Sequence, residues 1–210
     1  MENKNLEIYR EEIAYRSELQ KKIFSGVKPT EEEKLWMETH KFFSQIHGVP
    51  YLMRDVIILE KGIDYQIDVE FKASSHPTSH PYVIYPIFKA PCQIGNIKAT
   101  GELTNSRGKK RVGKPVKMLA TLIDEDNRKY RFLYSSDCGA LIVAFCCHYF
   151  DPKMKMNTGG HSGNSEGLYM LMENVDQNCI LYRCKAPYTK DFDSLVFTVE
   201  WSLISSENGS

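Results

Sequence analysis

Tyr65-Gln66-Ile67-Asp68-Val69-Glu70-Phe71 alternates strictly, with apolar side chains at the odd positions and polar or charged ones at the even positions. Successive side chains of an extended chain point to opposite faces, so this run predicts a strand with one face in a core and one in water. The pattern returns near the C-terminal end, where Leu195, Phe197, Val199, Trp201 and Leu203 alternate with Thr198, Glu200 and Ser202. Alternation of this kind belongs to antiparallel sheets, which tolerate a solvated face.

Between these two runs, further strands are expected near Tyr82–Phe88, Ile94–Leu103, Pro115–Ile123, Lys129–Tyr134, Ala140–Phe150, Leu168–Glu173 and Ile180–Cys184. Asp124-Glu125-Asp126-Asn127 reads as a hairpin turn. Ala140–Phe150 differs from the rest, because it is apolar on both faces and must be covered on both.

Before Pro50 the period is helical. From Leu6 to Phe24, Ile8, Tyr15, Leu19 and Ile23 fall within one stripe, and Gly26 ends the run. Thr30 and Glu33 have the spacing of a capping box. The helix they open carries Leu35, Trp36, Thr39, Phe42, Phe43 and Ile46 on a broad apolar face, closed by Gly48 and Pro50. That face is expected to shield the outer side of the Ala140–Phe150 strand. The fold class is therefore mainly β (α+β). It is an antiparallel β-sandwich or open barrel-like sheet of about nine to ten strands, with an N-terminal pair of helices packed on one face. Residues 1–50 form a helical annex and 51–210 the β domain, together one cooperative unit.

A chain of 210 residues buries roughly 70% of its unfolded surface in a single core. Its 27 basic and 27 acidic residues cancel, leaving no long-range field for a polyanion and making nucleic acid a poor partner. No window approaches the length of apolar chain that spans a membrane, and no signal-like apolar stretch follows Met1. The six cysteines lie mostly in apolar strand-like runs, which fits reduced thiols and a cytoplasmic protein.

Four segments could carry chemistry. The Gly-rich stretch Thr158–Gly167, in the long connection Asp151–Gly167, places His161, Ser162 and Glu166 together, the acid/base, hydroxyl and carboxylate of a small active site. It lacks the strand-to-helix context of a phosphate-binding loop, and its composition reads first as a flexible connection rich in turn formers. Cys138, at a turn, could act as a nucleophile with His161 or His148, although no helix follows to lower its pKa. Cys146 and His148 share a strand face but need ligands from elsewhere, so no metal site is assigned. Cys179 and Cys184 fall on opposite faces, and Pro77 and Pro81 keep His76 and His80 off a helix. The basic segment Arg107–Lys114, with Arg107, Lys109, Lys110, Arg111 and Lys114, reads first as a solvated hairpin tip, and as a binding surface it suits an acidic protein partner at least as well as nucleic acid.

These features point first to a non-enzymatic intracellular binding protein of the inhibitor or immunity type, engaging a macromolecular partner through loops and a sheet edge without a cofactor. A small hydrolase or transferase centred on His161, Ser162 and Glu166 is the second reading. A β-sandwich holding a small ligand between its sheets is the third.

Overall fold

A computed structural model describes residues 2–46, 49–75, 82–91, 95–99, 115–121, 123–135, 137–151, 156–161, 167–187 and 189–204. Two helices, α1 (Glu2–Phe24) and α2 (Glu31–Thr39), precede twelve strands. These are β1 (Phe42–Ile46), β2 (Val49–Ile58), β3 (Asp64–Ala73), β4 (Tyr82–Lys89), β5 (Ile97–Ala99) and β6 (Met118–Ala120), then β7 (Lys129–Ser135), β8 (Ala140–Asp151), β9 (Met156–His161), β10 (Tyr169–Asp176), β11 (Cys179–Lys185) and β12 (Leu195–Leu203). No helix among the described residues is long and apolar enough to cross a membrane.

The described strands belong to one antiparallel sheet, ten of them ordered β5-β7-β3-β12-β11-β10-β2-β8-β4-β6, with β1 paired to β2 and β9 to β8 off this path. The two ends of that path nearly meet. Ile97 of β5 and Val116, just before β6, exchange backbone hydrogen bonds of 3.2 and 2.9 Å, which bends the sheet into a barrel. Gly95 lies at this seam, where a Cβ would sit 2.2 Å from the Val116 carbonyl carbon, so only glycine allows the two backbones to approach.

The interior is filled with side chains. Tyr65, Ile67, Val69 and Phe71 of β3 are buried, while Gln66, Asp68 and Glu70 are only half-covered, as their alternation demands. Phe88, Phe132, Tyr134, Phe145, Tyr182 and Phe197 are the largest buried side chains, and with the β3 residues they form one continuous core. On β12 the alternation fades, since Trp201 is half-buried and Leu203 is exposed at the strand end. β8 is covered on both faces: Leu141, Val143, Phe145 and Cys147 enter the main core, whereas Ala140 and Ile142 pack outward on Val56, and Cys146 on Tyr85 and Ile87.

Several sequence expectations are corrected. The second helix stops at Thr39, and Phe42–Ile46 is β1, hydrogen-bonded to β2. Phe42, Phe43 and Ile46 satisfy helical spacing, but aromatic and β-branched side chains suit a strand equally, and pairing with β2 decides. His40 leaves the helix with extended backbone, its amide donating to the Trp36 carbonyl. The sheet thus begins at Phe42, inside the segment read as the helical annex. Asp124 does organise a turn, its carboxylate accepting from the Asp126 and Asn127 amides, yet β6 and β7 do not pair, so no hairpin forms there. Among the described residues of Ile94–Leu103 and Pro115–Ile123, strand structure comprises β5, the Val116 bridge and β6. Met156–His161, read as loop, is β9. The shortened α2 does lie against β8.

Candidate functional site

The helices meet the barrel through both apolar and charged side chains. On α1, Tyr9, Glu12, Arg16 and Leu19 recur at helical spacing, and Tyr9 and Leu19 are buried while Tyr15 and Ile23 are largely exposed. The Tyr9 ring meets Phe43 edge-on at 5.1 Å. The Arg16 guanidinium lies 4.7 Å over Phe42 and 5.6 Å over Trp36 and donates to the Lys41 carbonyl at 3.3 Å. Arg54 of β2 donates to the Met37 carbonyl. Burial, reinforced by Arg54, pushes Arg16 down to about 10. Burial raises the Glu12 carboxyl against the pull of Lys41 and Arg16, with Asp55 adding to the rise.

Asp55 is the centre of this junction. Phe42 pairs with Arg54 and Phe43 with Leu52, so Met53 is an extra residue that shifts the inward parity of β2. Asp55 consequently points into the fully buried interior, where it accepts from the Tyr182 hydroxyl at 2.8 Å and the Val56 amide at 2.8 Å. Lys41 completes the set with a 2.7 Å ion pair. Burial first, then Asp55, raises the Tyr182 phenol well above its ordinary value.

Beside this pair opens a recess of about 450 Å3, lined by Glu12, His40, Lys41, Lys61, Cys138 and Gly139 among others. His40 Nδ1 lies 2.9 Å from the Trp36 carbonyl, and the ring stacks on Trp36 at 4.2 Å. Burial lowers the His40 pKa, and Arg16 and Arg54 oppose the imidazolium further. Gly139 has φ of 72°, and a Cβ there would meet the Leu59 carbonyl oxygen at 2.9 Å, so the turn that presents Cys138 needs glycine. Cys138 is half-buried and its sulfur lies 3.9 Å from the Ala140 carbonyl.

The histidines named as partners for Cys138 lie elsewhere. His148 is eight residues along β8 from Ala140, and the His161 backbone is registered opposite Cys146, six residues along. At about 3.3 Å per residue these are separations of roughly 20 Å or more. Cys138 and His40 line the same recess, and both expected histidines lie farther along β8. Ser162 and Glu166 lie outside the described residues, as do His76, His80 and the basic segment with Arg107, Lys109, Lys110, Arg111 and Lys114.

On the outer face of β4 and β8, Tyr85 is registered opposite Cys146, and its hydroxyl is 3.4 Å from His148 Nδ1. Burial pushes the Cys146 thiol up to about 11, which makes it a poor nucleophile. Burial also raises Cys184, which is in the core, and Cys179, which lines the outer face. A shallow hollow of about 730 Å3 spreads over the outer face of β3, β12, β11 and β10, and ion pairs Glu70–Lys72 and Arg183–Asp193 occupy its rim. No family model, curated protein or solved structure matches this chain.

Glu12, Lys41, Asp55 and Tyr182 escaped the sequence reading because each sits among residues of ordinary surface or core composition. One signal could have found Asp55: it is a lone carboxylate inside the apolar run Val49–Ile58.

Proposed function

We propose that this is a non-enzymatic intracellular binding protein that engages a protein partner through loops and a sheet edge. The observation that carries it is β9. The barrel removes most strand edges by closing at Ile97 and Val116, yet β9 hangs off the closed path and pairs with β8 alone among the described strands. Its second edge offers a row of backbone donors and acceptors to an added strand. Two of its six residues, Gly159 and Gly160, have no side chain.

An acidic partner suits the basic segment Arg107–Lys114, whose attraction would weaken as salt screens it. The test is retention of a partner from the native host on the immobilised chain. One dominant protein should be held at low salt, and it should be lost on raising salt and on replacing Arg107, Lys109, Lys110, Arg111 and Lys114 by alanine. Thr158→Pro in β9 should lose it too, with the melting temperature nearly unchanged. A preparation that holds no partner, or one indifferent to both variants, contradicts the reading.

A further inference from the structure

The recess between the helices and the barrel takes no part in strand addition at β9, and its lining is of two kinds. One part is aliphatic. Val56, Leu59 and Ala140 are buried, and Ile58 beside them is 73% exposed. Together they give an apolar group a surface on which to leave water. The other part is charged, and its charges do not cancel. Lys41 is engaged by Asp55 at 2.7 Å. Glu12 has Arg16, one turn along the same helix, as its electrostatic counterpart. Lys61 forms no ion pair among the described residues. Its stem lies along Gly139, with Cγ and Cε 3.3 and 3.8 Å from where a Cβ would stand, so the glycine seats the lysine against the recess that both residues line. One uncompensated cation attracts a monoanion, whereas a dianion would carry a second negative charge toward Glu12. The volume of about 450 Å3 falls within the range of roughly 300–1,000 Å3 in which proteins hold small organic molecules.

We propose that this recess binds a small aliphatic monocarboxylate, with the carboxylate on the Lys61 ammonium and the methylenes on Val56, Ile58, Leu59 and Ala140. Head and tail act together. Lys61 is exposed, and an exposed ion pair by itself contributes little in water. The aliphatic surface by itself does not choose between an acid, an amine and an alcohol of equal length. Thr39 supplies no further donor, because its hydroxyl already donates to the Leu35 carbonyl at 2.8 Å. An occupant also covers Cys138, a half-buried thiol in the same lining.

The test is calorimetric titration of the full chain with octanoate, with octylammonium, octanol and inorganic phosphate as comparisons. Octanoate should bind at one site, and each methylene removed on the way to butanoate should weaken binding by about fourfold. Octanol should bind about fivefold more weakly, and octylammonium and phosphate should show no heat of binding at concentrations where octanoate saturates. Lys61→Met should weaken octanoate by about fivefold and Lys61→Glu should abolish its binding, both with the melting temperature nearly unchanged because the side chain is exposed. Cys138 locates the occupant: saturating octanoate should slow its alkylation by iodoacetamide, read by peptide mass spectrometry, and leave the half-buried Cys179 on the outer face of β11 at its own rate. Octanoate that does not bind, octylammonium that binds as well, or an affinity unmoved by Lys61→Glu overturns the proposal. Binding that leaves Cys138 alkylation unslowed overturns it too, since the acid then sits elsewhere.

Discussion

At the scale of single residues, Asp55 and His40 are the groups whose chemistry depends most on the fold. A buried carboxylate is tolerable only while its partners remain, because an unpaired charge in the interior costs far more than a paired one. Lys41→Met is therefore expected to destabilise the protein by about 3–5 kcal/mol in denaturant titration, since it strands Asp55 beside Tyr182. Tyr182→Phe removes one hydrogen bond to the same carboxylate and should cost about 1.5–3 kcal/mol. A Lys41→Met, Asp55→Leu double variant that recovers none of the loss would show that the pair does not act as a unit. His40 gives a pH signature. Its pKa is lowered in the fold by burial and by Arg16 and Arg54, so the unfolded chain takes up a proton near pH 6.5 that folded His40 resists. Stability should fall as pH drops below about 6.5, and His40→Gln should flatten that limb of the stability curve. Glu12, raised by burial, acts in the opposite sense: its contribution is present at low pH and fades as pH rises through its elevated pKa.

At the scale of elements, the capped start of α2 was legible to the atom. Thr30 Oγ1 accepts from the Glu33 amide at 3.2 Å, and the Glu33 carboxylate accepts from the Thr30 amide at 2.7 Å. Glu33 also holds Lys22 of α1 at 2.6 Å, which joins the helices. Thr30→Ala should cost about 1 kcal/mol, and a change below a few tenths would mean that α2 is held by packing alone. The end of α2 was not legible. Trp36, Phe42, Phe43 and Ile46 satisfy a helical stripe, and nothing local tells the chain that β2 waits as a pairing partner for Phe42–Ile46. β9 was hidden for the same reason. Its sequence, Met-Asn-Thr-Gly-Gly-His, has turn composition, and only alignment along β8 makes it a strand. Parity did place the strands around Tyr65–Phe71 and Leu195–Phe197, because their alternation is a statement about a core that exists wherever the sheet folds.

At the scale of the whole molecule, the barrel depends on a closure that local reading could not see. β5 and β6 are three residues each, and they bring the ends of the sheet together only because Ile97 meets Val116 beside Gly95. Gly95→Ala forces backbone apart at that seam and should lower stability by about 1–3 kcal/mol, more than the same change at Gly62, where an added Cβ meets nothing. Gly62 carries its own cost from positive φ, which makes the comparison a stringent one. The candidate chemistry is also a product of closure and pairing. Cys138 was visible as a turn cysteine, but His40, Glu12 and Lys61, which line the same recess, come from three distant stretches of chain.

Native-state hydrogen exchange at the Ile97 and Val116 amides tests the closed sheet most directly. Each donates across the seam, so both should exchange as slowly as amides of β3 and β12 within the continuous ladder. Exchange at the rate of an open chain at both positions would mean that the sheet has two free ends, and the barrel would have to be abandoned.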